Sequence, residues 1–209
     1  MAESMDMSRE QREQAAEESS PLRDRFLAAG MQVLARDGYG GFKQAAVCAE
    51  TGLTTGAFYH SFRNWKAFET ALIAHWRSEA TDRLVAWLDV QPSPHERVEA
   101  LIAVALGLPH RSEAALRVWA ASDDDVRAAL LAVDEKRRVA VARYTCELGV
   151  PAEHAERLAA TSMLLLIGHE GAGTDLADLE WSMRHLLMTD PYVQEALAAS
   201  MAAAAQTSE

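Results

Sequence analysis

The chain has 209 residues, 49% of them apolar and 24% charged, with a formal net charge of −11. That balance describes one or two globular domains and excludes a disordered chain. The acidic total argues against indiscriminate nucleic-acid binding, because a uniformly acidic surface repels phosphate. The charge is unevenly spread, however. Residues 38–77 carry Lys43, Arg63, Lys66 and Arg77 against Glu50 and Glu69, whereas acids outnumber bases from residue 81 onward. No apolar run, 163–167 included, is long enough to cross a bilayer, so no membrane partner is expected. The N-terminal MAESMDMSREQREQAAEESS has no apolar core of a signal peptide. Cys48 and Cys146 lack metal-type spacing, so no metal or cofactor is expected, and the two read as small buried thiols of a cytoplasmic protein.

Residues 1–19 are polar and read as a flexible acidic tail. Ser20-Pro21 pairs an N-cap residue with a proline at the first helical position, so a first helix is expected over 21–36, ended by Asp37-Gly38. A second helix follows over 43–50, broken by Gly52, and a third, short one over 54–60. A long fourth helix, capped by Asn64, carries Phe68, Leu72 and Trp76 at i+4 spacing and continues through Trp87 and Leu88. Past a polar linker at 89–93, helices are expected near 94–106, 112–121, 123–148, 151–170, 175–188 and 191–204. Three of them open on strong start signals: Ser93-Pro94 with Glu96 as a capping box, the acids Asp123 to Asp125, and Asp190-Pro191. No strand-like alternation is sustained. The fold class is all-α, with domains at 20–66 and 67–209.

The second and third helices, joined by a short turn containing glycine, have the pattern of a DNA-binding helix-turn-helix. Val47 and Leu53 suit the inner faces, Cys48 is small enough for close packing, and Phe58 seats the third helix. Gly52 stands where a positive φ is cheap only for glycine. The stretch TTGAFYHSFRNWKAF at 54–68 resembles the signature of the TetR family of bacterial transcriptional repressors. The aromatic-tyrosine pair Phe58-Tyr59, then Phe62, then the polar turn Arg63-Asn64 into a long helix carry that resemblance. The later segment AALRVWAASDDDVRAALLAVDEKR at 114–137 is similar to the regulatory domain of many members. One departure stands out: Trp65 occupies a place where the family commonly has lysine, and Lys66 follows it.

The resemblance implies an N-terminal three-helix DNA-binding domain and a C-terminal helical domain for ligand binding and dimerisation. Thr54, Thr55, Gly56 and Ala57, at the start of the third helix, would lie nearest the major groove, with Thr55 able to bond base edges. Tyr59 and His60 would face phosphates, with Lys43, Gln44 and Lys66 as further contacts. Helix-turn-helix proteins usually dimerise on a palindrome, so double-stranded DNA with a palindromic operator and a second copy of the chain are the expected partners. The apolar run AATSMLLLIG at 159–168 and the following helix offer a dimer surface through Leu158, Leu165, His169, Leu176, Leu179, Met183 and Leu187. An unknown small-molecule effector would bind among the C-terminal helices, with Trp87, His110, Trp119, Arg143 and Met163 as candidate contacts.

Catalysis is not expected. No two histidines lie three or four residues apart, G-x-S-x-G is missing, and His169-Glu170 should point to different helix faces. A helical module that binds a protein partner, without DNA, is the competing reading.

Overall fold

A computed structural model describes residues 9–91 and 93–206 of the chain, and among them helices are joined only by short turns. They fall into two compact units, one reaching to His75 and the other beginning at Trp76.

The first unit is built on α1 (Arg9–Gly41), α2 (Gln44–Thr51), α3 (Thr55–Ser61) and most of α4 (Trp65–Arg77). The segment expected as a tail is helical from Arg9 onward, and Pro21 lies inside α1 rather than starting it. Glutamate, glutamine, arginine and alanine fill that stretch, all good helix formers. Residues 1–8 lie outside the described residues. The backbone leaves helical geometry at Gly38, with φ 66°, where the sequence places the break.

The core of this unit is aromatic. All five phenylalanines of the chain lie in it, and all are buried. Phe58 packs edge-on against Phe26 and Phe68, with ring centroids 5.4 Å apart in each case, and Phe62 meets Phe68 at 5.0 Å. Such edge-to-face pairs contribute about 0.5–1.5 kcal/mol beyond the area they bury. Gly30 lets α1 approach α4 closely: a Cβ there would stand 2.9 Å from the Phe68 ring.

The second unit contains the end of α4, a π-helical turn at Ser78–Asp82, α5 (Arg83–Asp89), α6 (Pro94–Leu106), α7 (His110–Ala120), α8 (Asp124–Leu148), α9 (Ala152–Ala172), α10 (Leu176–Met188) and α11 (Pro191–Gln206). Long α8 packs against α6, α7, α9 and α11. The start signals act as read. Ser93 accepts from the Glu96 amide at 3.2 Å, Asp123 from the Asp125 and Val126 amides, and Asp190 from the Tyr192 and Val193 amides. Of the two thiols, Cys48 is buried but Cys146 is exposed, because α8 turns that side outward near its C-terminal end.

A buried ionic cluster ties α7, α8 and α9 to the end of α4. Arg137 grips both oxygens of Glu113 at 2.7 Å, and the Trp76 indole N–H donates to the same carboxylate at 3.1 Å. Arg117 bonds Glu170 at 2.6 Å and Asp134 at 2.8 Å. His110 lies beside His169, with ring centroids 4.7 Å apart, and 3.7 Å from Glu170. The neighbours His169 and Glu170 were expected to diverge, yet both reach His110, since a histidine arriving from another helix meets both faces.

Three carboxylates (Glu113, Asp134, Glu170) thus face two guanidiniums (Arg117, Arg137), and one proton balances the cluster. Glu170 takes it: burial and the Glu113 charge push its carboxyl up to about 7, against the pull of Arg117. Burial also works to raise Glu113, but the Arg137 bonds outweigh it and hold Glu113 below the usual carboxylate range. Burial and His169 lower His110.

An acid whose pKa is higher folded than unfolded lends stability below its unfolded value and loses it as pH rises through the folded one. Glu170 should therefore lower the melting temperature between about pH 5 and pH 7, against an opposite contribution from the lowered His110. Glu170→Gln, which keeps a donor toward Glu113, should flatten that fall, as thermal unfolding followed by circular dichroism across this range will show.

Candidate nucleic-acid interface

The turn between α2 and α3 is fixed by local bonds. Gly52 adopts the left-handed conformation, φ 68°, and ends α2. Its N–H reaches Ala49 O and the Leu53 N–H reaches Cys48 O, both at 3.2 Å, which satisfies carbonyls at the helix end. Thr51 Oγ1 donates to Cys48 O at 2.9 Å and accepts from the Leu53 amide at 3.2 Å. Any L-residue other than glycine would be strained at Gly52 by roughly 1–2 kcal/mol.

Seven residues are too few for a helix to hold itself, so α3 depends on its packing. Phe58 is fully buried and fixes which way the helix faces. At its C-terminal end, Arg23 donates to Ser61 O at 3.1 Å while its guanidinium lies 4.4 Å over the Phe62 ring. With Phe58 turned inward, Thr55, Gly56, Tyr59 and His60 are all exposed.

The candidate contacts separate by what their polar atoms already do. Thr54 is the N-cap of α3, and its Oγ1 accepts from the Ala57 amide at 3.3 Å. Ala57 is half-buried. Thr55 is exposed, and its hydroxyl lies against the buried Cys48 thiol, which burial raises and the Thr55 bond lowers. Tyr59 is 53% exposed and leans edge-on against Phe58, and its hydroxyl donates a long 3.4 Å bond to Gln44 Oε1. Gln44 is half-buried and positions Tyr59, while its own amide nitrogen is buried without a partner.

Lys43 precedes α2, exposed and with extended backbone. Lys66 is exposed in the first turn of α4, which Asn64 caps through a 2.8 Å bond from the Ala67 amide. Arg63, also exposed, was not among the candidate contacts. Its position in the polar turn after α3 is the signal that would have found it.

Trp65 resolves the departure noted in the sequence. It is half-buried and packs on Phe42 at 4.9 Å, Phe68 at 5.0 Å and Phe58 at 6.0 Å. It extends the aromatic core rather than facing outward as a lysine would.

Residues 26–67 match the family model described as bacterial regulatory proteins, tetR family. The helix-turn-helix segment is that of the TetR family. Solved structures of similar fold include a TetR-family transcriptional regulator from Streptomyces coelicolor, with a TM-score of 0.66 at 16% identity over 87% of this chain and 96% of that one. A TetR-family regulator from Agrobacterium tumefaciens gives 0.64 at 20% identity over 82% and 98%. The reduced form of E. coli NemR gives 0.63 at 16% identity over 79% and 97%. No curated protein matches the chain by sequence. The chain is a DNA-binding transcriptional regulator of two-domain, all-α fold, and none of its described helices is long and apolar enough to cross a membrane.

The second unit of this regulator contains an apolar cavity. Of the five residues expected to meet an effector, Met163 lines it and the others do not. Trp119 is buried in packing and His110 joins the ionic cluster, while Trp87 and Arg143 are exposed, Arg143 paired with Asp89 at 2.6 Å. Aliphatic side chains, not aromatics, make this wall.

The residues expected at a dimer surface also distribute differently. Leu158, Leu179, Met183, Leu187 and His169 are buried within the subunit, and Leu165 is half-buried, because α9 and α10 turn that stripe onto their own core. Leu176 is 43% exposed, and the outward face carries Leu164 and Trp181, 71% and 67% exposed.

Replacing Trp65 with the lysine common in the family removes three ring contacts. Trp65→Lys should destabilise the protein by about 2 kcal/mol, less than the 3–5 kcal/mol of a fully buried aromatic. Urea unfolding will measure it, and a gain in DNA affinity without loss of stability would contradict the packing role.

Proposed function

We propose that this chain is a ligand-responsive repressor that binds a palindromic operator as a homodimer in the cytoplasm, acting by binding and not by catalysis. The supporting observation is the exposed face of α3, where Thr55, Gly56, Tyr59 and His60 stand together because Phe58 is buried behind them. Thr55, Gly56 and Ala57 read bases, with Thr54 holding the start of the helix. Tyr59 and His60, with Lys43, Lys66 and Arg63, hold phosphates. Phosphate contacts set register, and base-edge contacts set sequence preference. Gln44 contributes by fixing Tyr59.

The homodimer forms through α9 and α10, whose exposed Leu164, Leu176 and Trp181 are large apolar side chains on one pair of helices. An effector enters the cavity of the second unit and shifts the balance between DNA-binding and released forms. It does so only by binding one form better than the other.

Selection of duplexes from a random pool, followed by titration at several salt concentrations, tests this. A palindrome with half-sites about 10 base pairs apart should emerge, with affinity falling steeply as salt rises. Tyr59→Phe should weaken all sequences alike, and Thr55→Ala should change which bases are preferred. Recovery of no palindrome at either low or high salt would favour the protein-interaction reading instead.

A further inference from the structure

The cavity of the second unit lies among α5, α6, α8, α9 and α10 and is walled chiefly by aliphatic side chains, among them Leu88, Ile102, Val104, Met163, Leu166 and Leu187. Two hydroxyls interrupt the apolar wall. Thr81 is 2% exposed and Ser162 8%, and neither side-chain oxygen has a hydrogen-bond partner.

That is unusual for this chain. A serine or threonine inside a helix normally returns its hydroxyl to the carbonyl four residues back. Thr70, Thr145, Thr161 and Thr189 all do so here, at 2.9, 2.8, 2.9 and 2.5 Å. Ser162 follows Thr161 directly yet keeps its hydroxyl unpaired. Thr81 belongs to the π-helical turn, a widened geometry that is frequent at functional sites. A buried hydroxyl without a partner disfavours folding, so a pair of them facing one cavity marks a place where a ligand completes the bonding.

The charge of that ligand is constrained as well. Arg137 also lines the cavity, but its guanidinium is bound at both nitrogens to the Glu113 carboxylate. An anionic ligand would have to take Arg137 from Glu113 and leave a buried carboxylate short of its partner. A cationic ligand would meet the guanidinium and no carboxylate in the wall.

We propose that the cavity binds an uncharged, mainly apolar small molecule carrying a hydroxyl or carbonyl group, which Thr81 and Ser162 hold by hydrogen bonds. The proposal rests on the effector reading above and specifies its chemistry.

Calorimetric titration of the full chain at pH 7.5 with 1-octanol, 2-octanone, octanoate and octylamine tests it. The alcohol and ketone should bind at least about tenfold more tightly than the two charged probes. The double substitution Thr81→Val with Ser162→Ala should weaken alcohol and ketone about tenfold. The melting temperature of the ligand-free variant should hold or rise, since the unpaired hydroxyls are gone. A merely structural role for these hydroxyls would lower it and leave affinity unchanged, which would overturn the proposal. Octanoate or octylamine binding as tightly as the alcohol would also overturn it. Failure of all four probes to bind would remove the cavity as a ligand site and the effector reading with it. If the alcohol binds as expected without altering DNA affinity, the effector reading fails while the ligand chemistry stands.

Discussion

Helix α3 of this protein exists because of an aromatic core. Seven residues of isolated chain do not form a helix in water, and α3 has few side-chain bonds of its own. What holds it is the burial of Phe58 and Phe62 among Phe26, Phe68 and Trp65, each within about 6 Å of Phe58 or Phe62. Aromatic rings suit this task, since their large, rigid surfaces fix an orientation at small entropic cost. Once Phe58 points inward, helical geometry leaves no freedom in where Thr55, Tyr59 and His60 point. The exposed face of α3 is thus set from behind, by buried aromatic rings.

The second unit obeys a different constraint. Its helices are amphipathic and pack by aliphatic contact, but a charged cluster runs through the middle. Glu113 is shared: the same carboxylate holds Arg137, which lines the cavity, and Trp76, near the end of the helix that begins in the DNA-binding domain. Replacing a buried ion pair with apolar residues is often neutral or stabilising, so such clusters are poor evidence of stability by themselves. Here three carboxylates face two guanidiniums, and burial beside Glu113 pushes the Glu170 carboxyl up.

Helix starts were legible because capping is local chemistry: Asn64, Ser93, Asp123 and Asp190 bond amides two or three residues away, within reach of any sequence reading. The positive φ of Gly52 and the inward turn of Phe58 were legible for the same reason. Trp65 was not, because its place depends on Phe42 arriving from a distant point in the chain. Most of the effector candidates lie away from the cavity for a related reason. Trp87 and Arg143 are residue types that suit binding sites, but type does not say which wall faces a cavity. The cavity's most informative members, Thr81 and Ser162, look ordinary in sequence, since periodicity reports a buried face and not whether a hydroxyl finds a partner. The stripe Leu179, Met183 and Leu187 was recognisably buried, but spacing cannot tell burial by the same subunit from burial by a second one.

Photo-crosslinking the intact protein to a selected duplex carrying 5-iodouracil in place of thymine tests the interface most directly. Tryptic mapping should place the crosslinks in the peptide spanning 44–63, which contains α2, the turn and α3. Crosslinks confined to peptides beyond residue 76 would contradict the assignment of α3 as the reading helix.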